Sequence, residues 1–506
     1  MREDSGHADG SPLAASTAGQ GVLAASTTSS DAPLALARLT SLPLHRRLRW
    51  PRTEFGARAG KIALASITLI VLAMVLFAAH GPTVLVQRTS HIFTPWEAGP
   101  LYHLLPSGVR VGSTATSYAA TGLILIMLGA YLVVLGALRT LAMRMIATCI
   151  VAVHILLLLG PPFQFTDLGN YLGYARLGGL HDLNPYTHVI GQEMHDPIFH
   201  FATWLNLHSP YGELFTALSY PLALVSIPVA YWIVKVVTVA LSLALIAIVC
   251  ACARRLGRDP RYAAVLLGLN PIYLVYAVGG FHNDFFMLVP AIGAVALLLA
   301  RRDRAAGAAL MLAVAVKFSA ALLLPFLLAA AWPARRRIRD LILGAAIAAI
   351  PLIAMSLILF GFSLPNLSDQ STLLTPFSFP NLFGYLIGVG GGTGGVLRAA
   401  NLALIVTVVL LLRRRGDWIS RAGWATMALI ASLGWVMPWY VIWVLPLAAI
   451  GSSARLRRAA LALTVFLMLV FLPSSSKFWG LIHFDPMSGS AGHASQTLQA
   501  KLSGNG

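Results

Sequence analysis

The chain has 506 residues, 58% of them hydrophobic and only 11% charged, with a mean hydropathy of +0.77. A soluble protein of this size has too little interior to hide that much apolar surface, so a soluble globular fold is excluded. The net charge of +18 is carried by arginines clustered between apolar runs, which is the positive-inside pattern of a membrane protein and argues against nucleic acid as partner.

The apolar runs have the length of helical spans, not the short alternating pattern of barrel strands. Cys149, Cys250 and Cys252 all lie inside such runs, where neither a disulfide framework nor a zinc site is expected. Residues 1–37, rich in Ser, Ala, Gly and Thr, read as a disordered tail. Residues 38–61 are basic, with Arg46, Arg47, Arg49, Arg52 and Arg58, and precede the first run at 62–79. That run lacks a small-residue cleavage site, so it reads as an uncleaved anchor with the N-terminus cytoplasmic.

Further spans are predicted near 118–138, 145–160, 228–253, 262–278, 285–300, 341–361, 396–412, 421–436, 441–452 and 458–473. The block 305–332 has basic clusters on both sides: Arg301, Arg302 and Arg304 before it, Arg335, Arg336, Arg337 and Arg339 after it. A single crossing would export one cluster. Two short helices folding back at Lys317 keep both inside. The same rule makes 213–226 a helix on the outer surface, because two crossings there would export Arg254, Arg255 and Arg258.

The expected architecture is an all-α polytopic membrane protein of about 13 crossings, including the broken hairpin. Its transmembrane domain spans 62–473, with outer loops 80–117, 161–227 and 362–395, and the tail 474–506 lies outside. Cytoplasmic loops are short and basic, whereas the residues suited to chemistry face outward.

The polar stretch 165–186 organises those residues. Asp167 falls where a helix would begin, with Asn170, Tyr171 and Tyr174 on one face at i+3, i+4 and i+7. Either Thr166 or Asp167 merely caps the helix or the Asp167 carboxylate is a reactive group, and the stretch alone leaves both open. Downstream come Asn184-Pro185-Tyr186, then Trp204, then Ser209-Pro210-Tyr211-Gly212. Glu193, Asp196 and His200 share a helical face, which reads as solvated and not as a metal site. Later come the turn His282-Asn283-Asp284, Lys317, and the turn Pro438-Trp439-Tyr440 with Trp443. An ammonium at a half-span apex calls for an anionic partner, and an outward amine near the bilayer suits a lipid-linked phosphate. A carboxylate beside it suits a general base for an incoming hydroxyl.

This order of motifs, from Asp167 to Trp443, resembles the polytopic GT-C glycosyltransferases. Within them it is most similar to the actinobacterial polyprenol-phosphate-mannose-dependent α-(1→6)-mannosyltransferases. The resemblance implies transfer of a hexosyl, expected mannosyl, residue from a polyprenyl-phosphate carrier to an envelope glycolipid or glycan acceptor. It places this at the extracytoplasmic face of the plasma membrane, with no cofactor and no metal. It implies Asp167 as catalytic base, with Lys317 and His282 on the donor phosphate. Tyr171, Asn184, Tyr186, Tyr211, Asn283, Asp284, Trp439 and Tyr440 are the implied substrate contacts. In the family the acid often sits in the first outer loop, whose only acid here is Glu97. The family's Tyr-Gly-Pro is Tyr-Gly-Glu here, at Tyr211 to Glu213. The competing class is a transporter or flippase of a lipid-linked sugar, which predicts ionisable groups spread through the spans, where this chain has almost no acids. A scaffold of envelope assembly, the third class, would not need Asp167 and Lys317 at one cavity.

Overall fold

Apolar segments with no water to satisfy their peptide groups must bond internally, so they fold as helices. In the computed structural model this holds throughout: among the described residues there are helices and turns and no strand. Those residues are 55–81, 84–86, 93–102, 104, 113–361, 363–365 and 368–504. The expected tail 1–37, most of the basic segment 38–61 and parts of loops 80–117 and 362–395 lie outside them.

In chain order the helices are α1 Ala57–Ala79, α2 Ser113–Gly136, α3 Met143–Leu159, α4 Leu168–Gly179, α5 Glu213–Ser219 and α6 Ile227–Arg255. There follow α7 Pro260–Gly268, α8 Asp284–Leu299, α9 Asp303–Val316, α10 Leu324–Ala331, α11 Arg335–Phe360 and α12 Phe379–Leu386. The last are α13 Gly394–Arg413, α14 Trp418–Ser432, α15 Leu445–Ile450, α16 Ala454–Val470, α17 Ser475–Leu481 and α18 Ser490–Ser503. Five of them, α1, α2, α6, α11 and α13, are long and apolar enough to cross a membrane, and α16 with α17, bent by 78°, would make a sixth. Ile350, Ile358 and Leu402 on α11 and α13 are more than half exposed, the surface a lipid chain covers. The chain is a multi-pass helical membrane protein.

Two departures from regular helix position the site. The first lies in the predicted span 262–278. Pro271 disfavours helix at the preceding residue, and α7 ends before it. Asn270 Oδ1 accepts from the amides of Ile272 and Tyr273, and the chain restarts as a wide π turn, Tyr273–Val278. That turn ends at Gly279 and sets the following residues down as a tight loop before α8. A buried relay from His154 on α3 through Ser242 on α6 to the Tyr273 hydroxyl ties it to the bundle.

The second departure is at Lys317, whose backbone is extended between α9 and a 3₁₀ turn, Phe318–Leu323. The chain folds back there. At the other end one guanidinium gathers both limbs: Arg337 donates to the Asp303 carboxylate at 2.7 and 2.9 Å and to the carbonyls of Ala330 and Leu298. α9 then lies directly on α11, because Gly307 and Gly344 leave no room for a Cβ: one would meet the Leu341 carbonyl, the other the Arg304 carbonyl. At the apex, the Gly212 amide donates to the Val316 carbonyl, so the polar loop before α5 meets the fold-back point. The helix expected at 213–226 is α5 followed by a 3₁₀ turn, Tyr220–Leu224.

The C-terminal segment is folded. The Leu502 carbonyl accepts from the Asn206 amide, Ser495 Oγ accepts from the Leu374 amide, and Leu502 packs with Leu207 and Leu373.

Candidate active site

The residue that precedes α4 is Asp167, and its side chain does not cap the helix. Thr166 takes that place: its Oγ accepts from the Leu168 amide at 3.3 Å and donates to the Gly280 carbonyl at 2.8 Å. The Asp167 carboxylate is left without a hydrogen bond among the described residues, 23% exposed, with Oδ2 3.7 Å from His282 Nδ1.

The loop 279–284 faces it. Phe281 adopts a left-handed backbone, φ 53°, which turns the chain within one residue and points His282 inward. The imidazole is fully buried and stacked on Trp439, centroids 3.5 Å apart. The Asn283 amide donates to the Tyr171 hydroxyl at 3.0 Å. Asp284 opens α8 and is buried; its Oδ1 accepts from Lys317 Nζ at 2.8 Å and from the Trp443 indole at 2.6 Å. The Trp443 ring stacks on Tyr440 at 4.3 Å, and the Lys317 ammonium lies over both rings. Lys317 keeps a quarter of its side chain exposed.

Four buried polar atoms on this single turn have no hydrogen-bond partner among the described residues: His282 Nδ1 and Nε2, Asn283 Nδ2 and Asp284 Oδ2. Native interiors leave few such atoms, and a concentration of them marks a place where something else supplies the bonds. The arrangement offers a free carboxylate, an imidazole with both nitrogens open, a primary amine held by a buried acid, and three aromatic rings. It is suited to taking a proton from a hydroxyl and holding an anion a few ångströms away.

Of the expected site residues, Asp167, Tyr171, His282, Asn283, Asp284, Lys317, Trp439 and Tyr440 meet here. Tyr211 stands behind, its ring edge-on to Tyr171 at 5.0 Å. Asn184 and Tyr186 do not join them. Asn184 Nδ2 donates to the Phe360 carbonyl, its Oδ1 accepts from the Tyr186 amide, and the Tyr186 hydroxyl donates to Tyr211 O and Thr216 Oγ1. These two fasten the loop to α5 and to the end of α11. Asp196 is likewise internal and not on a solvated face: it bonds Arg176 at 2.8 and 2.9 Å, His181 at 2.7 Å and the Ile198 amide. Burial alone would raise its pKa, but the bonds from His181, Ile198 and Arg176 outweigh that and hold it below the ordinary carboxylate value.

Sequence reading placed Trp443 in the outer turn without giving it a role; its partner Asp284 lies 159 residues away, so only the fold reveals the bond. It also passed over Lys235, a fully buried lysine in α6 whose isolation in an apolar run was a visible signal.

The α-(1→6)-mannopyranosyltransferase N-terminal-domain family matches residues 65–333, and the MptB C-terminal-domain family matches residues 383–487. Alpha-(1→6)-mannopyranosyltransferase A of Mycobacterium tuberculosis is 27% identical over 263 residues, 46% of this chain and 50% of the relative. The chain thus spans about half the length of the curated relative it matches. No solved structure matches it. With one family covering more than half of the chain and every residue of the site up to Lys317, the chain belongs to the α-(1→6)-mannopyranosyltransferase family.

Proposed function

We propose that this chain transfers a mannosyl residue from a polyprenyl-phosphate carrier to a glycolipid or glycan hydroxyl at the extracytoplasmic face of the cell membrane. Family membership supports the mannosyl class. The observation that carries the site is the turn 282–284, with four unpartnered buried polar atoms between a free carboxylate and a paired amine.

In the step proposed, the acceptor oxygen attacks C1 of the sugar, and its proton passes to Asp167. The bond from C1 to the phosphate oxygen breaks, and the polyprenyl phosphate leaves with the electron pair. Asp167 is the base because its oxygens are uncommitted, whereas Asp284 is bound to Lys317 and Trp443. Lys317 and His282 hold the phosphate as charge develops on it. A β-linked donor then gives an α-linked product in one displacement. Trp439, Tyr440 and Tyr171 are the aromatic rings proposed to contact the pyranose.

Purified protein in detergent, given radiolabelled polyprenyl-phosphate-mannose and a glycolipid acceptor with no membrane gradient, should form labelled product. Asp167→Asn should lower turnover about 10²–10⁴-fold while still binding donor. Lys317→Ala should raise the KM for donor more than that for acceptor. Absence of product from the wild-type protein, with binding and release of the carrier intact, would favour the transporter class instead.

A further inference from the structure

Lys235 is the ninth residue of α6 and its side chain is entirely shut off from solvent. The Nζ donates to the Gly160 carbonyl at 2.6 Å and lies 3.9, 4.9 and 5.0 Å from the ring centroids of Trp232, Tyr231 and Phe281. An ammonium in a helix of this kind is unfavourable unless a partner holds it, and such a group marks a functional device by default.

What it touches is specific. Gly160 ends α3 and begins the segment that leads to Asp167. Two bonds lay that segment along the opposite arm, the Phe163 amide to the Gly279 carbonyl at 2.7 Å and Thr166 Oγ to the Gly280 carbonyl, while the Gln164 amide donates to the Leu85 carbonyl of the first outer loop. Phe281, the third ring around the ammonium, is the left-handed residue that aims His282. One buried side chain therefore meets the root of both arms, the one ending in Asp167 and the one ending in His282.

We infer that Lys235 is a positioning residue for the transfer step, fixing the separation between Asp167 and His282 without touching substrate. This rests on the function proposed above. Lys235→Met keeps the length of the side chain and removes the hydrogen-bond donor to Gly160. Purified and folded, it should lose about 10²-fold in kcat, the scale of a 1 Å misplacement, with the donor KM within about threefold of wild type. Lys235→Arg retains a charged donor and should recover to within about tenfold of wild type. Wild-type kcat in folded Lys235→Met would overturn the inference. So would a loss of activity that only tracks the amount of folded protein, with kcat per folded molecule unchanged. If Lys235→Met does not fold, Phe281→Leu removes only the ring on the His282 arm, and the same fall in kcat at constant KM is required of it. A cryo-EM structure of the variant separates this inference from the assignment of function: the Asp167–His282 distance should open beyond 3.7 Å even if wild-type protein transfers no sugar. An unchanged distance sinks the inference alone.

Discussion

Asp167 and Asp284 show how two carboxylates in one site come to differ. Asp284 is buried, with one oxygen taken by an amine and an indole; Asp167 is partly exposed and takes no hydrogen bond among the described residues. Replacing each by Asn should therefore have different effects. Asp167→Asn removes a base and should leave thermal stability unchanged. Asp284→Asn leaves Lys317 without a counter-charge and should lower stability by about 1–3 kcal/mol, read as a fall in Tm in detergent, together with a changed donor KM. The sequence already required an anionic partner for Lys317, from the placement of an ammonium at a fold-back point. It did not say which acid, because Asp284 lies 33 residues earlier and is delivered only by packing of α8 against the hairpin. The choice between Thr166 and Asp167 as cap was visible in sequence but not decided by it, since it turns on which oxygen reaches the Leu168 amide.

At the scale of elements, hydropathy located every long helix, because the run of apolar residues and the helix are one physical fact in a membrane. It missed the π turn 273–278, which mean hydropathy cannot distinguish from a straight span and which only the Asn270-Pro271 break foreshadows. It also left the segment after 473 as a tail, because α18 is polar except for a narrow edge where Leu498 and Leu502 meet Leu207 and Trp204. The hairpin was read from charge alone, and the structure supplies its mechanics: the clamp at Arg337 and the close approach at Gly307. Gly307→Ala should cost about 2 kcal/mol and weaken donor use, since it forces α9 off α11 and carries Lys317 with it. Gly293→Ala on α8, where a Cβ meets nothing, is the control and should be neutral or slightly stabilising. The loop 161–227 makes a different prediction, about pH. The folded pKa of Asp196 is depressed, so its contribution is full above the unfolded value of about 3.9 and disappears as pH falls below it. Asp196→Asn should remove that acid-side loss, seen as a flatter Tm against pH below about 4, at lower stability near neutrality.

For the whole molecule the open quantity is orientation, and the fold makes it measurable in one experiment. The three cysteines are free and buried, so single introduced cysteines report against a quiet background. Gln192 lies in the loop that carries Asp167 and Thr497 in α18; both are exposed, and the Asn206–Leu502 bond joins their segments at the same end of the bundle. Arg336 and Arg415 are exposed among the arginines expected inside. A membrane-impermeant maleimide applied to intact cells should label Gln192→Cys and Thr497→Cys, and reach Arg336→Cys and Arg415→Cys only after lysis. Reversal of all four would keep the fold and refute an extracytoplasmic site. Opposite labelling of 192 and 497 would be worse for the reading, since a bilayer cannot lie between two segments that share a backbone hydrogen bond. The arginine distribution decides the expectation: moving the Arg335–Arg339 cluster outward would reverse the bias that orients short loops, while no comparable cluster lies near Asp167 to compensate.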